Sequence, residues 1–218
     1  MKNTALIQVL GAVAYGELKA YEGAKAEAAK AETDKDRKFH KKVAAEELRH
    51  HKGFVSRLEA MGADPERAMR PFRDPLDRYH GRDDGDPVTE AVFGYLGEGV
   101  ADDLLRWLRQ VVDDETAEFI DGVIEDEVGH EAAAAAELRE ILDTVPDARA
   151  KAVRATRTML LHMAWSGRSG ATPLVAFLRV GKGGELVKSL LEGHARRMRA
   201  VGLPPLGLPI PPALVGAR

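Results

Sequence analysis

Two stretches of the sequence decide the fold: FHKKVAAEELRHHKGFVSRLEAM, residues 39–61, and FIDGVIEDEVGHEAAAAAELREI, residues 119–141. Their apolar positions repeat at an offset of 80 residues, and so does a Glu-x-x-His motif, formed by Glu47 with His50 and by Glu127 with His130. Residues three apart share one face of a helix, so each motif can direct a carboxylate and an imidazole at one point. The repeat therefore predicts two copies of one helical unit.

A glutamate precedes each motif by the length of one helical hairpin. Glu17 lies 30 residues before Glu47, and Glu98 lies 29 residues before Glu127. Such a separation covers one helix, a tight turn and an equal return, so each upstream glutamate is expected to face its motif at a similar height. The sequence thus predicts four carboxylates and two imidazoles in the middle of a helical bundle.

Apolar periodicity and capping residues predict an all-α chain. Helices are expected over about 4–31, 34–61, 87–112, 113–143, 147–165 and 184–200. A long polar connection is expected over 63–86, and two hairpins joined by one long crossover are typical of the ferritin-like four-helix bundle. We therefore expect one helical domain over 1–201, with a four-helix core over about 4–143 and accessory helices over about 147–200.

The C-terminal stretch, residues 202–218, is rich in proline and is not expected to form a helix. Its prolines alternate with apolar residues, which is typical of an extended segment. We expect an arm that lies either on the bundle or on a second subunit of a homodimer.

The residue types available restrict the chemistry of any site. The chain of 218 residues has no cysteine, which excludes disulfides, thiolate nucleophiles, iron–sulfur clusters and thiolate zinc sites. A metal site must therefore use Asp, Glu and His, and carboxylate with imidazole ligands suit iron or manganese. Burying four carboxylates without counter-charge is very costly, whereas two divalent cations would cancel their charge.

The N-terminal residues imitate a short signal peptide, because Lys2 is followed by a run of apolar and small residues to Ala14. The helical pattern continues unbroken past Ala14, which favours a helix of the mature protein and a cytoplasmic location. No apolar run approaches the roughly 20 residues that a membrane helix needs, so no membrane association is predicted.

The predicted ligands resemble the signature of ferritin-like dinuclear carboxylate proteins over residues 4–143: Glu17, Glu47, His50, Glu98, Glu127 and His130. Three further stretches are similar to the MiaE-like branch of that superfamily, named for a tRNA-modifying hydroxylase: residues 69–80, 95–104 and 190–198. The resemblance implies a non-haem centre of two iron ions that activates O2, with an external electron donor, to hydroxylate a C–H bond. It implies an organic substrate, with modified tRNA as one candidate.

Residues near the predicted ligands have two interpretations. Tyr21 and Asp102 each lie four positions after a predicted ligand, and Tyr95 lies three positions before another. They would either orient a ligand through a hydrogen bond or belong to the core of the bundle. His51 is expected to be solvated, and Asp77 is expected to tie the crossover to the bundle.

Charge is unevenly distributed along the chain. Residues 1–144 carry 20 Lys and Arg against 32 Asp and Glu, whereas residues 145–218 carry 12 against 3. The basic third would either neutralise the acidic remainder or contact the phosphates of an RNA substrate. The predicted phosphate contacts are Arg149, Lys151, Arg154, Arg157, Arg196 and Arg197.

Together these features favour an O2-dependent diiron hydroxylase or monooxygenase. The first alternative is a ferritin-like protein that handles iron or detoxifies peroxide, and the second is a non-catalytic helical bundle used as a binding module. Metal-dependent turnover would indicate the enzyme, and assembly into a large shell would indicate storage. Failure to bind metal would indicate the binding module.

Overall fold

The computed structural model describes residues 2–82, 85–166, 177 and 180–205. No strand occurs within these ranges, which confirms the predicted all-α class. The elements are α1 (Lys2–Lys30), α2 (Asp34–Ala60), α3 (Pro65–Met69), a 3₁₀ turn (Arg70–Phe72), α4 (Arg73–His80), α5 (Pro87–Leu108), α6 (Asp114–Thr144), α7 (Ala148–Ser166) and α8 (Gly183–Ala200). The predicted arm lies outside the described residues from position 206 onwards.

The chain divides into two compact units. The first comprises Met1–Arg82, Leu108–Asp126 and Ser166–Gly183, and the second comprises Asp83–Trp107, Glu127–Trp165 and Gly184–Arg218. Helix α6 is continuous and contributes its first residues to one unit and its remainder to the other. No helix in the described ranges is both long enough and apolar enough to cross a membrane.

The first unit is built on the hairpin of α1 and α2. The turn between them ends at Thr33, whose hydroxyl oxygen accepts a hydrogen bond from the Asp36 amide at 3.1 Å and caps α2. Phe54 of α2 is fully buried and contacts Phe119 edge to face, with ring centroids 5.0 Å apart. Gly11 of α1 allows a close approach to α3, because a Cβ there would lie 2.4 Å from the Ala68 carbonyl oxygen.

The crossover differs from the polar connection that the sequence predicts, because α3, the 3₁₀ turn and α4 lie within it. Helix α3 begins with two local signals: Asp64 accepts a hydrogen bond from the Arg67 amide at 3.2 Å, and Pro65 occupies the first helical position. The predicted tie to the bundle is confirmed at Asp77, which accepts a hydrogen bond from the Tyr15 hydroxyl at 2.8 Å. The crossover is therefore held to α1 by a side chain.

The second unit begins where the sequence predicts. Asp86 accepts hydrogen bonds from the Thr89 amide at 3.2 Å and from its hydroxyl at 2.7 Å, and Pro87 starts α5. The same acceptor residue pairs through its other oxygen with Lys151 of α7 at 2.9 Å. A capping aspartate thereby also connects α5 to α7.

The packing of α8 against α5 is organised by a buried ion pair. Arg197 is 1% exposed, and its guanidinium donates to the carboxylate of Asp103. Glycines make room for it, since a Cβ at Gly99 would lie 2.1 Å from Arg197 Nε and one at Gly193 would lie 2.1 Å from Asp103 Oδ2. The prediction that Arg197 contacts phosphate is therefore wrong, because this side chain is enclosed and paired.

Candidate metal centre

Three of the predicted ligands meet within the first unit. Glu17 of α1 and Glu47 and His50 of α2 are all buried, and one ligand atom from each lies within 4.8 Å of the others. His50 Nδ1 is 3.4 Å from Glu17 Oε2 and 3.7 Å from Glu47 Oε2. Two carboxylates and one imidazole thus face a common point inside the hairpin.

The hairpin explains this arrangement. Glu47 and His50 lie one turn apart on the same face of α2, and the short connection over 31–33 returns α2 alongside α1 at the level of Glu17. Apolar side chains flank the group on both helices, with Leu10 on α1 and Phe54 on α2 fully buried. The polar group is therefore placed in a seam that is otherwise hydrophobic.

Burial changes the protonation of the group. Burial raises the pKa of Glu17 to about 8, and the neighbouring Glu47 carboxylate adds to this effect while His50 opposes it. Burial disfavours the charged form of His50, but hydrogen bonds with Glu17 and Glu47 outweigh it and raise the pKa of His50 to about 10. In the absence of a cation the group therefore retains protons near neutral pH, and a bound cation would have to displace them.

Asp126 is a further candidate site residue, which the sequence pattern does not predict. Its Oδ2 lies 3.0 Å from His50 Nε2, and it also pairs with Arg49. When Nε2–H donates to Asp126, the Nδ1 lone pair faces Glu17 and Glu47, which is the orientation a metal-binding imidazole needs. A sequence signal exists in retrospect: an acidic residue directly precedes each motif glutamate, Glu46 in one copy and Asp126 in the other.

The donor set fits a divalent cation. Nitrogen and oxygen ligands about 2.1 Å from one ion lie roughly 3–4 Å apart, depending on the angle between them. The separations of 3.4 and 3.7 Å from His50 Nδ1 fall within that range. Carboxylate and imidazole donors without thiolate favour iron or manganese.

The second motif has the same internal geometry in its own unit. His130 is buried, and its Nδ1 lies 3.4 Å from Glu127 Oε2 on the preceding turn of α6. Glu98 of α5 is exposed, unlike its counterpart Glu17. The two copies of the repeat therefore agree in the Glu-x-x-His motif and differ in the burial of the upstream glutamate.

Tyr21, Asp102 and Tyr95, which were expected either to orient a ligand or to belong to the core, make different contacts. Tyr21 is half-buried beside Lys25, whose Nζ lies 5.8 Å from its ring centroid. Asp102 is buried and accepts a hydrogen bond from Arg106 Nε at 2.9 Å. Tyr95 is buried, and its hydroxyl donates to the Arg197 carbonyl at 3.3 Å. The Tyr95 contact therefore joins α5 to α8, whereas the Asp102 contact is internal to α5.

The expectation that His51 is solvated is wrong. The ring is half-buried, and its Nδ1 donates a hydrogen bond to the Ala14 carbonyl oxygen at 2.7 Å. This bond links α2 to α1 one turn from the Glu17 level, so it supports the hairpin next to the ligands.

The remaining predicted phosphate contacts are at the surface or paired with acidic residues. Arg149 pairs with Asp143 at 3.0 Å, and Lys151 pairs with Asp86 at 2.9 Å. The other side chains, which are exposed, are Arg154, Arg157 and Arg196. Part of the basic charge therefore neutralises acidic residues of the same unit.

An all-α architecture with a buried carboxylate–imidazole group in a helical hairpin defines a ferritin-like protein with a possible metal site. The family model described as "Ferritin-like domain, actinomycetes" matches residues 2–168. Because this match covers well over half of the chain, the chain belongs to that ferritin-like family. No curated protein matches the chain.

Proposed function

We propose that the protein is a dinuclear non-haem iron oxidoreductase, an O2-dependent hydroxylase of an organic substrate. The observation that carries this proposal is the buried group of Glu17, Glu47 and His50, whose imidazole is held by Asp126. Buried ionisable groups with strongly shifted pKa values and a shared focus are typical of functional sites. A purely structural bundle gains nothing from placing three such groups in an apolar seam.

The proposed centre combines both copies of the repeat. Its ligands are Glu17, Glu47, His50, Glu98, Glu127 and His130, which would hold two iron ions. Glu127 and His130 repeat the spacing of Glu47 and His50, and the distance from the histidine Nδ1 to the glutamate Oε2 is 3.4 Å in one motif and 3.7 Å in the other. This repeat supports a contribution of Glu127 and His130 to the centre.

The residues would have different roles in such a centre. Bound iron would supply the redox chemistry by which one O2, two electrons and two protons convert a C–H bond to an alcohol and release water. Glu17 and Glu47 would bind cations after losing their protons, and Asp126 would fix the tautomer and the ring orientation of His50. The apolar seam around them excludes water and strengthens these interactions.

The finer assignments rest on the resemblance and the residue types. Iron is proposed over manganese because the resemblance is to diiron enzymes. The MiaE-like branch is named for a tRNA-modifying hydroxylase, so modified tRNA is one candidate among organic substrates, and the phosphate contacts left for that hypothesis are Arg149, Lys151, Arg154, Arg157 and Arg196. A cytoplasmic location would give the enzyme access to reduced electron donors.

Metal content after anaerobic Fe(II) loading tests the proposal. We expect close to two iron ions per chain, and a loss of bound iron in Glu47→Ala and in Glu127→Ala. Glu46→Ala is the matched control, because Glu46 is also buried but pairs with Lys42 at 2.7 Å. Little iron in the native protein, or equal iron in the Glu46 and Glu47 variants, would overturn the proposal.

Iron handling or peroxide removal is the second candidate, and membership of a ferritin-like family favours it. Oxygen consumption by the reduced protein separates the two functions. Without a substrate, a hydroxylase oxidises at most the two Fe(II) ions of its own centre, whereas a storage protein oxidises many Fe(II) ions per chain. Light scattering adds a second readout, because a storage shell is far larger than a homodimer.

A further inference from the structure

A cavity of about 480 Å³ lies within the second unit. Helices α5, α6 and α8 line it, with Tyr95, Asp102, Glu127, Val128, Glu131 and Arg196 among the lining residues. Its volume is in the range of pockets that bind small organic molecules. Glu127, a proposed metal ligand, contributes to the wall, so a molecule in the cavity would lie beside that carboxylate.

Asp102 lines this cavity and carries an unsatisfied acceptor oxygen. The residue is 4% exposed, and its Oδ2 accepts a hydrogen bond from Arg106 Nε at 2.9 Å. Its Oδ1 is buried and accepts no hydrogen bond from the described residues. A buried acceptor left in this state is costly, and a ligand that brings a donor would relieve that cost.

One part of the wall is apolar. Val128 is 59% exposed although it is a large aliphatic residue, and it shares the wall with Ala132 and Ala135 of the same helix. These side chains form one stripe of α6, because they are spaced by four and three positions. Such a stripe suits the hydrocarbon part of a ligand.

The charges on the cavity wall favour a ligand with a hydrogen-bond donor over an anionic ligand. The side chains of Arg106 and Arg196 are 45% and 57% exposed, and each guanidinium already pairs with a carboxylate, Arg106 with Asp102 and Arg196 with Asp103. The carboxylates of Asp102 and Glu127 are much more enclosed, at 6% and 13%. An anionic ligand would therefore meet the buried carboxylates, whereas a hydroxyl or amine would meet an acceptor.

We infer that this cavity is the substrate site and that it takes a small molecule with an apolar body and a hydroxyl or amine group. The donor group binds the Asp102 carboxylate, whose side chain turns slightly to bring Oδ1 to the cavity, and the apolar body lies on the stripe of Val128, Ala132 and Ala135. The assignment of the cavity as a substrate site rests on the proposed function, because Glu127, which lines the cavity, is a proposed metal ligand. The binding itself does not require the metal.

Saturation-transfer NMR on the full-length protein tests this inference with three molecules that share one ring: cyclohexanol, cyclohexylamine and cyclohexanecarboxylate. We expect the alcohol and the amine to bind at least tenfold more tightly than the carboxylate. Asp102→Asn keeps an acceptor but loses the charge, so it should retain the alcohol and weaken the amine. Equal binding of all three, preference for the carboxylate, or no binding would overturn the inference.

A second pair of variants tests the location without altering Asp102. Val128→Arg should abolish binding of cyclohexanol by filling the cavity, whereas Val187→Arg should not, because Val187 is similarly exposed but does not line it. Equal effects of the two changes would place the molecule elsewhere. Iron content measured on the same samples separates the two proposals. Bound iron with no binding of the cyclohexane derivatives would overturn only the assignment of the cavity. Binding of these molecules without bound iron would overturn only the proposed metal centre.

Discussion

His50 Nε2 lies 3.0 Å from Asp126 Oδ2, although the two residues are 76 positions apart and belong to different helices. The contact orients the imidazole so that its other nitrogen faces Glu17 and Glu47. It also gives the buried ring a fixed partner in α6, and it enlarges the candidate centre beyond the repeated motif.

Removal of the Asp126 carboxylate should weaken metal binding. Asp126→Ala is expected to lower the affinity for Fe(II) or Mn(II) by about 10–100-fold, because partners of metal-binding histidines contribute effects of that size. Competition with a coloured chelator measures the affinity. Glu125→Ala is the matched control, since Glu125 is the exposed neighbour on the same helix. An unchanged affinity in Asp126→Ala would show that the contact does not orient the ligand.

Glu17 should make the metal-free protein less stable as the pH rises from about 5 to 6. With the pKa of Glu17 raised to about 8, the native state keeps a proton that the unfolded chain loses above pH ~4.3. The native state then binds more protons, so the free energy of unfolding decreases with pH, by at most about 1.4 kcal/mol per pH unit. Urea unfolding of the native chain and of Glu17→Gln measures this.

The isosteric amide cannot titrate, so in this pH range the free energy of unfolding should fall more steeply with pH in the native chain than in Glu17→Gln. His50 is mostly protonated in both states below about pH 6, because its native pKa is about 10, and it contributes little there. His80 and His194, whose pKa values burial lowers, act in the opposite direction, and they do so in both proteins. Metal affinity should rise over the same pH range, since binding releases the Glu17 proton. Parallel slopes in the two proteins would contradict the raised pKa.

Loss of one member of the Asp103–Arg197 pair should be strongly destabilising. Arg197→Met is expected to reduce the free energy of unfolding by about 3–5 kcal/mol, because it leaves the buried Asp103 with only the exposed Arg196, whose Nη2 lies 3.6 Å from Asp103 Oδ1. Arg199→Met is the control, because Arg199 is exposed and should change stability by less than about 1 kcal/mol. Adding Asp103→Leu to Arg197→Met should recover part of the loss. A small effect of Arg197→Met would mean that water replaces the guanidinium.

Two glycines of α1 should respond to alanine in opposite directions. Gly11→Ala is expected to cost about 1–3 kcal/mol, because its Cβ would lie 2.4 Å from the Ala68 carbonyl oxygen and the backbone of α3 would have to move. Gly23→Ala should stabilise by about 0.5–1 kcal/mol, since an added Cβ meets no atom within 4 Å and alanine favours helix. Thermal unfolding of both variants measures the difference. Equal shifts would indicate that α1 and α3 are not closely packed.

The helix boundaries were predictable where a capping residue marks them. Thr33, Asp86 and Asp113 each accept a hydrogen bond from a backbone amide three positions later, and the helices begin there as expected. The helices of the crossover were not predicted, because each is too short to show an apolar periodicity. The cap at Asp64 was the available signal.

The sequence by itself determined the helical class, the hairpin lengths and the meeting of Glu17, Glu47 and His50, because these follow from helix geometry and local capping within a few dozen residues. Only the tertiary structure decided that Asp126 holds His50, that Arg197 is enclosed by Asp103 and two glycines, and that Glu98 is exposed where Glu17 is buried. These outcomes depend on how helices distant in sequence pack. The residues adjacent in sequence do not determine that packing.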